Sequence, residues 1–282
     1  MPTYNNTVTG DENAIEGTSV GGRGIVGKSE TNYGIRAHSK KLSGTRSSSE
    51  EGVGVEGESN TNHGVVGVSK GAGCGVKAVS KDGEALHAET NSLGSAAIAA
   101  YNLNSNGTGA AIYAKKDGTN GPAGFFEGNV HVTGDITIGG DITLLNAADC
   151  AEDFDIAGVE NVEPGTVMVL GEEGALHQSQ QAYDKRVAGV LSGAGDYKAG
   201  IVLDKQQAKD NRKPIALLGK VFCKVDADAA PVEVGDLLTT SDTLGHAMKA
   251  TDHLKAFGAV IGKALRPLKG GQGMIPILIA LQ

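Results

Sequence analysis

The sequence predicts an all-β protein: an elongated β-repeat shaft, a short intertwined neck and a C-terminal β-rich sandwich or barrel. Three observations predict it. A six-residue phrase recurs about every ten residues through the first half, as in Gly24-Ile25-Val26-Gly27-Lys28-Ser29 and then Gly34-Ile35-Arg36-Ala37-His38-Ser39. A tighter six-residue period follows from Gly128. Beyond Cys150 the repeat stops, and short apolar runs alternate with turn residues. These changes of texture place an N-terminal arm at 1–13, a shaft at 14–127, a neck at 128–148 and a head at 149–282.

In the shaft, position 2 of the phrase is Ile15, Ile25, Ile35, Thr45, Val55, Val65, Val76, Leu86, Ile98, Ile112 and Phe126, apolar in all but one copy. Position 4 is always small: Gly17, Gly27, Ala37, Ser47, Gly57, Gly67, Ala78, Ala88, Ala100, Ala114 and Gly128. Position 6 is Ser from Ser19 to Ser80, then Thr90. Positions 3 and 5 are mixed, so the phrase alternates inside and outside with period 2, a strand signal. Stretches such as Glu30-Thr31-Asn32-Tyr33 read as turns. A lone strand cannot bury its apolar face, so the units must stack. One solution is a single-chain β-solenoid. The other is a trimeric β-helix or β-prism, with one strand per chain in each layer. The small residue at position 4 favours three chains, because three copies would crowd a common axis, as glycine does in collagen.

The neck reads Gly128-Asn-Val-His-Val-Thr, Gly134-Asp-Ile-Thr-Ile-Gly, Gly140-Asp-Ile-Thr-Leu-Leu. Val130, Val132, Ile136, Ile138 and Ile142 alternate with polar residues. Five-residue strands joined by Gly-Asp corners suit an intertwined triple β-helix. The block resembles the necks that precede the terminal domains of phage tail fibres and spikes. Three His131 side chains meeting on an axis would hold a metal or anion, but alternation turns His131 away from Val130 and Val132, toward water. No metal is predicted.

Composition narrows the partners. The 282 residues include 43 Gly, only 7 Pro, no Trp, 6 Tyr and 5 Phe, so any core is aliphatic. The net charge is −8, and Lys/Arg occur as isolated pairs, which argues against nucleic acid. Cys74, Cys150 and Cys223 are far apart and odd in number, neither a disulfide framework nor a metal set. Cys74 and Cys223 are expected to be inert, buried residues. The N-terminus has no basic start followed by an apolar run, and no stretch of 18 apolar residues occurs. The expectation is a protein made in the cytoplasm without a signal peptide, not inserted in a membrane, and carried outward on a particle. No cofactor is expected.

In the head, strand-like runs lie at Gly165–Leu170, Val187–Leu191, Gly200–Leu203, Pro214–Val225, Asp236–Thr240, Phe257–Leu265 and Met274–Leu281, with a turn or two of helix at Gln178–Arg186. The strings DCAEDFDI, EPGTVMVL, YDKRVAGVLSGAG, PIALLGKVFCKVDA, EVGDLLTTSDTLGHAMKA and FGAVIGKAL resemble a C-terminal domain found on fibre-like proteins, similar to the intramolecular-chaperone, or G2-peptidase-like, tailspike domains. The resemblance spans Asp149 to Gln282 and implies a trimeric, β-rich cap. It implies a structural or receptor-binding fibre or spike of a phage or phage-tail-like particle, such as a contractile injection system. The implied partners are its own copies, a baseplate or tail component, and a cell-surface glycan.

Two enzymatic alternatives stand beside that non-enzymatic reading. A self-cleaving chaperone would cut near 149–150, and needs a nucleophile and a base. Cys150 and Asp149 are candidates at the junction; Ser241 and His246, with Asp242, are candidates within TTSDTLGHAM. The plainer reading of that string is a hairpin, with His246 on the returning strand, and no Ser stands at the domain start where self-cleaving tailspike chaperones have theirs. The other alternative is a single-chain solenoid acting on carbohydrate. Glu152-Asp153-Phe154-Asp155 lacks the spacing of a calcium loop and reads as a solvated linker or cap edge. Glu172-Glu173 beside Gly174, and Gly270-Gly271-Gln272-Gly273, read as turns.

Overall fold

A computed structural model describes residues 17–118, 120–158, 161–206 and 211–281. The arm at 1–13 and Ile15 lie outside the described residues. The chain divides into two compact units, Met1–Phe125 and Phe126–Gln282.

In the first unit the phrases are extended segments joined by bends at ten-residue intervals. Among its described residues no strand pairs with another. The serine of position 6 makes each bend. Ser19, Ser29, Ser39, Ser49, Ser59 and Ser80 each accept, through Oγ, a hydrogen bond from the N–H three residues on, at 2.9–3.2 Å. This hydroxyl-to-backbone bond substitutes for secondary structure, which is why a turn keeps serine there.

The small residues of position 4 have a cause within one chain. Gly17, Gly27, Gly57 and Gly67 each face position 1 of the next repeat. A Cβ on Gly17 would lie 2.6 Å from the Gly24 carbonyl oxygen; the same distance is 2.5 Å for Gly27 and Gly34, and 2.7 Å for Gly57 and Gly64. A side chain therefore has no room there without parting the repeats. Where position 4 is Ala37, Gly44 stands further back, a Cβ on it clearing the Ala37 carbonyl oxygen by 3.4 Å. Position 2 is open: Ile25, Ile35, Val55, Val65, Val76, Leu86, Ile98 and Ile112 are all 61–72% exposed. Cys74, expected to be buried, is exposed, because nothing in its own chain covers it.

The second unit carries the hydrogen-bonded structure. Among its described residues the strands are β1 (Asp149–Asp155), β2 (Val167–Leu170), β3 (Leu176–Gln178), β4 (Val187–Leu191), β5 (Ala199–Leu203), β6 (Arg212–Asp226), β7 (Leu237–Thr240), β8 (Ala247–Lys249), β9 (Val260–Ala264) and β10 (Gln272–Ile279), with a short helix, α1 (His253–Ala256). Among the described residues the regular structure is almost wholly β. β6 pairs with β10, β10 with β9, β9 with β7, β7 with β8, and β8 returns to β6. That ring is a closed five-stranded barrel, which leaves those strands no open edge. Val221, Cys223, Val225, Leu238, Ile261, Ile277 and Ile279 fill it.

The fifteen residues of β6 serve two layers. The stretch from Gly219 onward joins the barrel against β10; the stretch before it pairs with β1 and β4. Gly219 (φ +106°) is where one gives way to the other, and a Cβ there would lie 2.5 Å from the Ala148 carbonyl oxygen. Met168, Leu176, Leu191, Ile215 and Ile156 form the core of the second layer.

Two expectations are corrected. Gln178–Arg186 is not helical; Tyr183 takes φ +59° and its hydroxyl accepts from the N–H groups of Thr251 and Asp252, which pins an irregular loop. The helix lies instead at α1, capped by the Asp252 carboxylate, which accepts from Leu254 and Lys255 N–H. The acidic run is not a solvated linker: it belongs to β1, between β5 and β6, with Asp153 buried. Arg212, largely buried, makes that tolerable by pairing with Asp155 and Asp204 and donating to the Asp153 carbonyl.

Candidate functional site

The residues weighed as candidates for self-cleavage bond as follows in the structure. Ser241 and His246 flank the turn between β7 and β8, and Ser241 N–H donates to the His246 carbonyl at 3.0 Å. The Ser241 Oγ accepts from Thr243 N–H at 3.1 Å. His246 Nδ1 lies 2.7 Å from the Leu244 carbonyl, a contact that places the proton on Nδ1. The two side chains thus bond to turn backbone rather than to each other. Asp242 points elsewhere, accepting from Ala182 N–H. His246 stands one residue before β8, not on it.

At the junction, Asp149 is buried on β1. Its Oδ2 accepts from the Ser192 hydroxyl at 2.8 Å, while Oδ1 is buried without a partner. Burial raises its carboxyl pKa; the Ser192 hydrogen bond opposes this only in part. Cys150 follows, half-buried, opposite Ile201 of β5 and Leu218 of β6. Cys223 sits inside the barrel, where burial pushes its thiol up to about 12 and keeps it a protonated, unreactive group. Among the described residues no cluster of three or more His, Cys, Asp or Glu has metal-binding geometry.

Two surfaces of the second unit stand out. One is a polar groove of about 390 Å³ beside β2 and β3, lined by Leu170, His177, Gln178, Gln181, Asp184 and Arg186 among others. Arg186 grips the Asp184 carboxylate with two nitrogens, Nε at 3.0 Å and Nη2 at 2.8 Å. That pairing holds Asp184 below the usual carboxylate range. Sequence reasoning missed this groove, because its residues become neighbours only through the β2–β3 hairpin and the pinned loop.

The other is apolar. Val130, Val132, Ile136, Ile138 and Ile142, the expected neck core, are exposed in the single chain, as are Leu144 and Leu145. A shallow concavity of about 290 Å³ joins Ile142 and Leu144 to Cys150, Gly200, Ile201 and Leu218. Leu144 had a signal in the sequence: it stands six residues after Ile138, itself six after Val132. Among the described residues, no helix is long and apolar enough to cross a membrane.

No family model and no curated protein matches the chain. Three solved structures of bacteriophage phi29 proteins overlap it in part. The gene product 12 C-terminal fragment is 16% identical, with 47% of this chain and all of that one covered, at a TM-score of 0.34. The pre-mature gene product 12 is 16% identical over 53% of this chain and 24% of its own, at 0.39. The N base of the head fiber gp8.5 is 18% identical over 45% of this chain and 92% of its own, at 0.27.

Proposed function

We propose that the chain is a subunit of a homotrimeric fibre or spike on a phage or phage-tail-like particle. Its repeats form a shaft and its C-terminal domain a head that meets a surface. The exposed row of position 2 carries the reading. Eight large apolar side chains, recurring at position 2 of successive phrases, are open in one chain, and an exposed apolar row of this kind marks an interaction surface that other copies would cover. The neck and head strings, by their resemblance to fibre proteins, supply the choice of particle. The close approach of consecutive repeats removes the need for a three-fold axis to explain small residues at position 4. The number three therefore rests on the neck and on that resemblance.

In this reading the work is mechanical and adhesive. A trimeric head multiplies weak contacts into avidity. Its polar groove, with amide, carboxylate, imidazole and guanidinium groups, suits a hydroxyl-rich cell-surface glycan, and the opposite end engages a baseplate or tail component. Light scattering of the intact chain, with a denaturing gel of boiled and unboiled samples, tests this. A mass of three chains and full-length bands are expected. A folded monomer of 28.6 kDa would overturn it in favour of a single-chain solenoid, and two fragments parted near Cys150 would make it a self-cleaving chaperone.

A further inference from the structure

We infer that the head itself takes part in assembly: the apolar surface formed by Leu144, Ile201 and Leu218 is covered by a second copy of this chain. The inference rests on the trimeric reading and assigns it a place on the head. Three observations carry it. First, the surface is continuous with the neck row, since Leu144 is both the next member of the six-residue series and the wall of the concavity. A Cβ added to Gly200 would lie 3.2 Å from a methyl of Leu144, so the end of the neck lies directly on β5.

Second, β5 is an edge. Among the described residues it pairs with β1 and with no other strand, and Ile201 and Leu203 are exposed on it. A bare apolar edge strand without charge or proline invites pairing with another chain unless something occupies it. Third, the area suffices. The seven neck residues from Val130 to Leu145, with Ile201, Leu203 and Leu218, are each 44–83% exposed. Together they offer on the order of 1,000 Å² per chain, where a standard stable interface takes roughly 800 Å² from each partner. The neck alone falls short of that, and the head completes it. The large side chains of this surface, Ile142, Leu144, Ile201 and Leu218, are aliphatic, as the buried centre of an interface requires, and the one carboxylate of the lining, Asp149, is itself buried and bonded to Ser192.

The test is made on the full chain. Ile201→Asp with Leu218→Asp alters two exposed side chains, so the barrel folds and Cys223 stays shielded from thiol reagents. The variant is expected to dissociate at a temperature lower by roughly 10 °C and to lose resistance to unboiled SDS. Leu254→Asp, at a side chain still more exposed and on α1, leaves both unchanged. Cys150, which lines the same concavity, reports directly: it reacts with a maleimide at least about tenfold more slowly in the wild-type trimer than in the double variant. A wild-type trimer whose double variant matches Leu254→Asp in all three readouts overturns the inference and leaves the fibre standing. A monomeric wild type overturns both.

Discussion

Val65, in the repeats, keeps 68% of its surface open, whereas Val167, Val190, Val221 and Val225, in the head, are fully buried. The residue type is the same; what differs is where its neighbours come from. In the head, strands distant in sequence return to cover one another, and β6 alone is paired over its length by β1, β4, β8 and β10. In the repeats, a phrase meets its neighbours at the glycines of positions 1 and 4, and its apolar side chain rests one edge on the preceding position-4 glycine while most of its surface stays open. Hydrogen bonding follows the same division. The head satisfies its backbone with ladders, while the repeats use a serine hydroxyl within each bend. One region thus completes its own core, and the other leaves its apolar row open in the single chain.

Substitutions in the two regions should therefore fail in different ways. The largest effect is expected from Ile277→Asp, which buries a charge inside the barrel beside Val221 and Cys223. It should unfold the head outright, and Cys223 should become reactive to a thiol reagent in the native buffer. Ile138→Asp sharpens the contrast. Its side chain is open in the single chain, so the head should keep its far-ultraviolet spectrum and melt, while the proposed trimer is lost by light scattering. An equal loss of head structure from both substitutions would break the comparison.

A smaller effect separates the head's carboxylates. Hydrogen bonding to Arg186 lowers the pKa of Asp184, so its contribution to stability is present above the ordinary carboxylate pKa and is lost as pH falls through the lower folded value. Asp149 has the opposite sign: burial raises its pKa, so folding is penalised above the folded value and the penalty is relieved as pH falls through it. Removing that relief with Asp149→Asn should make the loss of stability between pH 7 and about pH 4 steeper than in wild type, by urea unfolding. An unchanged or shallower loss would contradict the assignment. The smallest effect belongs to a single bend. Ser59→Ala removes the bond from Asn62 N–H and should cost about 0.5–1 kcal/mol in shaft melting without altering the head.

Much of the head was legible because apolar runs bounded by glycine and proline mark strands whatever their partners. Gly165–Leu170, Val187–Leu191 and Pro214–Val225 fall on β2, β4 and β6. β1 was hidden by its acidic residues, since nothing in the string shows that Arg212 would lie across them. β3 and β8, three residues each, carry too few alternations to be read. α1 did carry a signal, Asp252 as its cap, but its four residues were overlooked. The hairpin holding Ser241 and His246 was readable from its turn residues. The polar groove was not, because pairing distant strands decides which side chains share a surface.

Hydrogen exchange of the intact chain, read across residues 17–118, tests the central claim most directly. Other copies covering the repeats would supply ladder partners to backbone amides that have none in the single chain, and slow exchange is expected through every phrase from Gly24 to Ser80. Exchange at the rate of a free peptide through those phrases, in a sample whose head amides are protected, would contradict it.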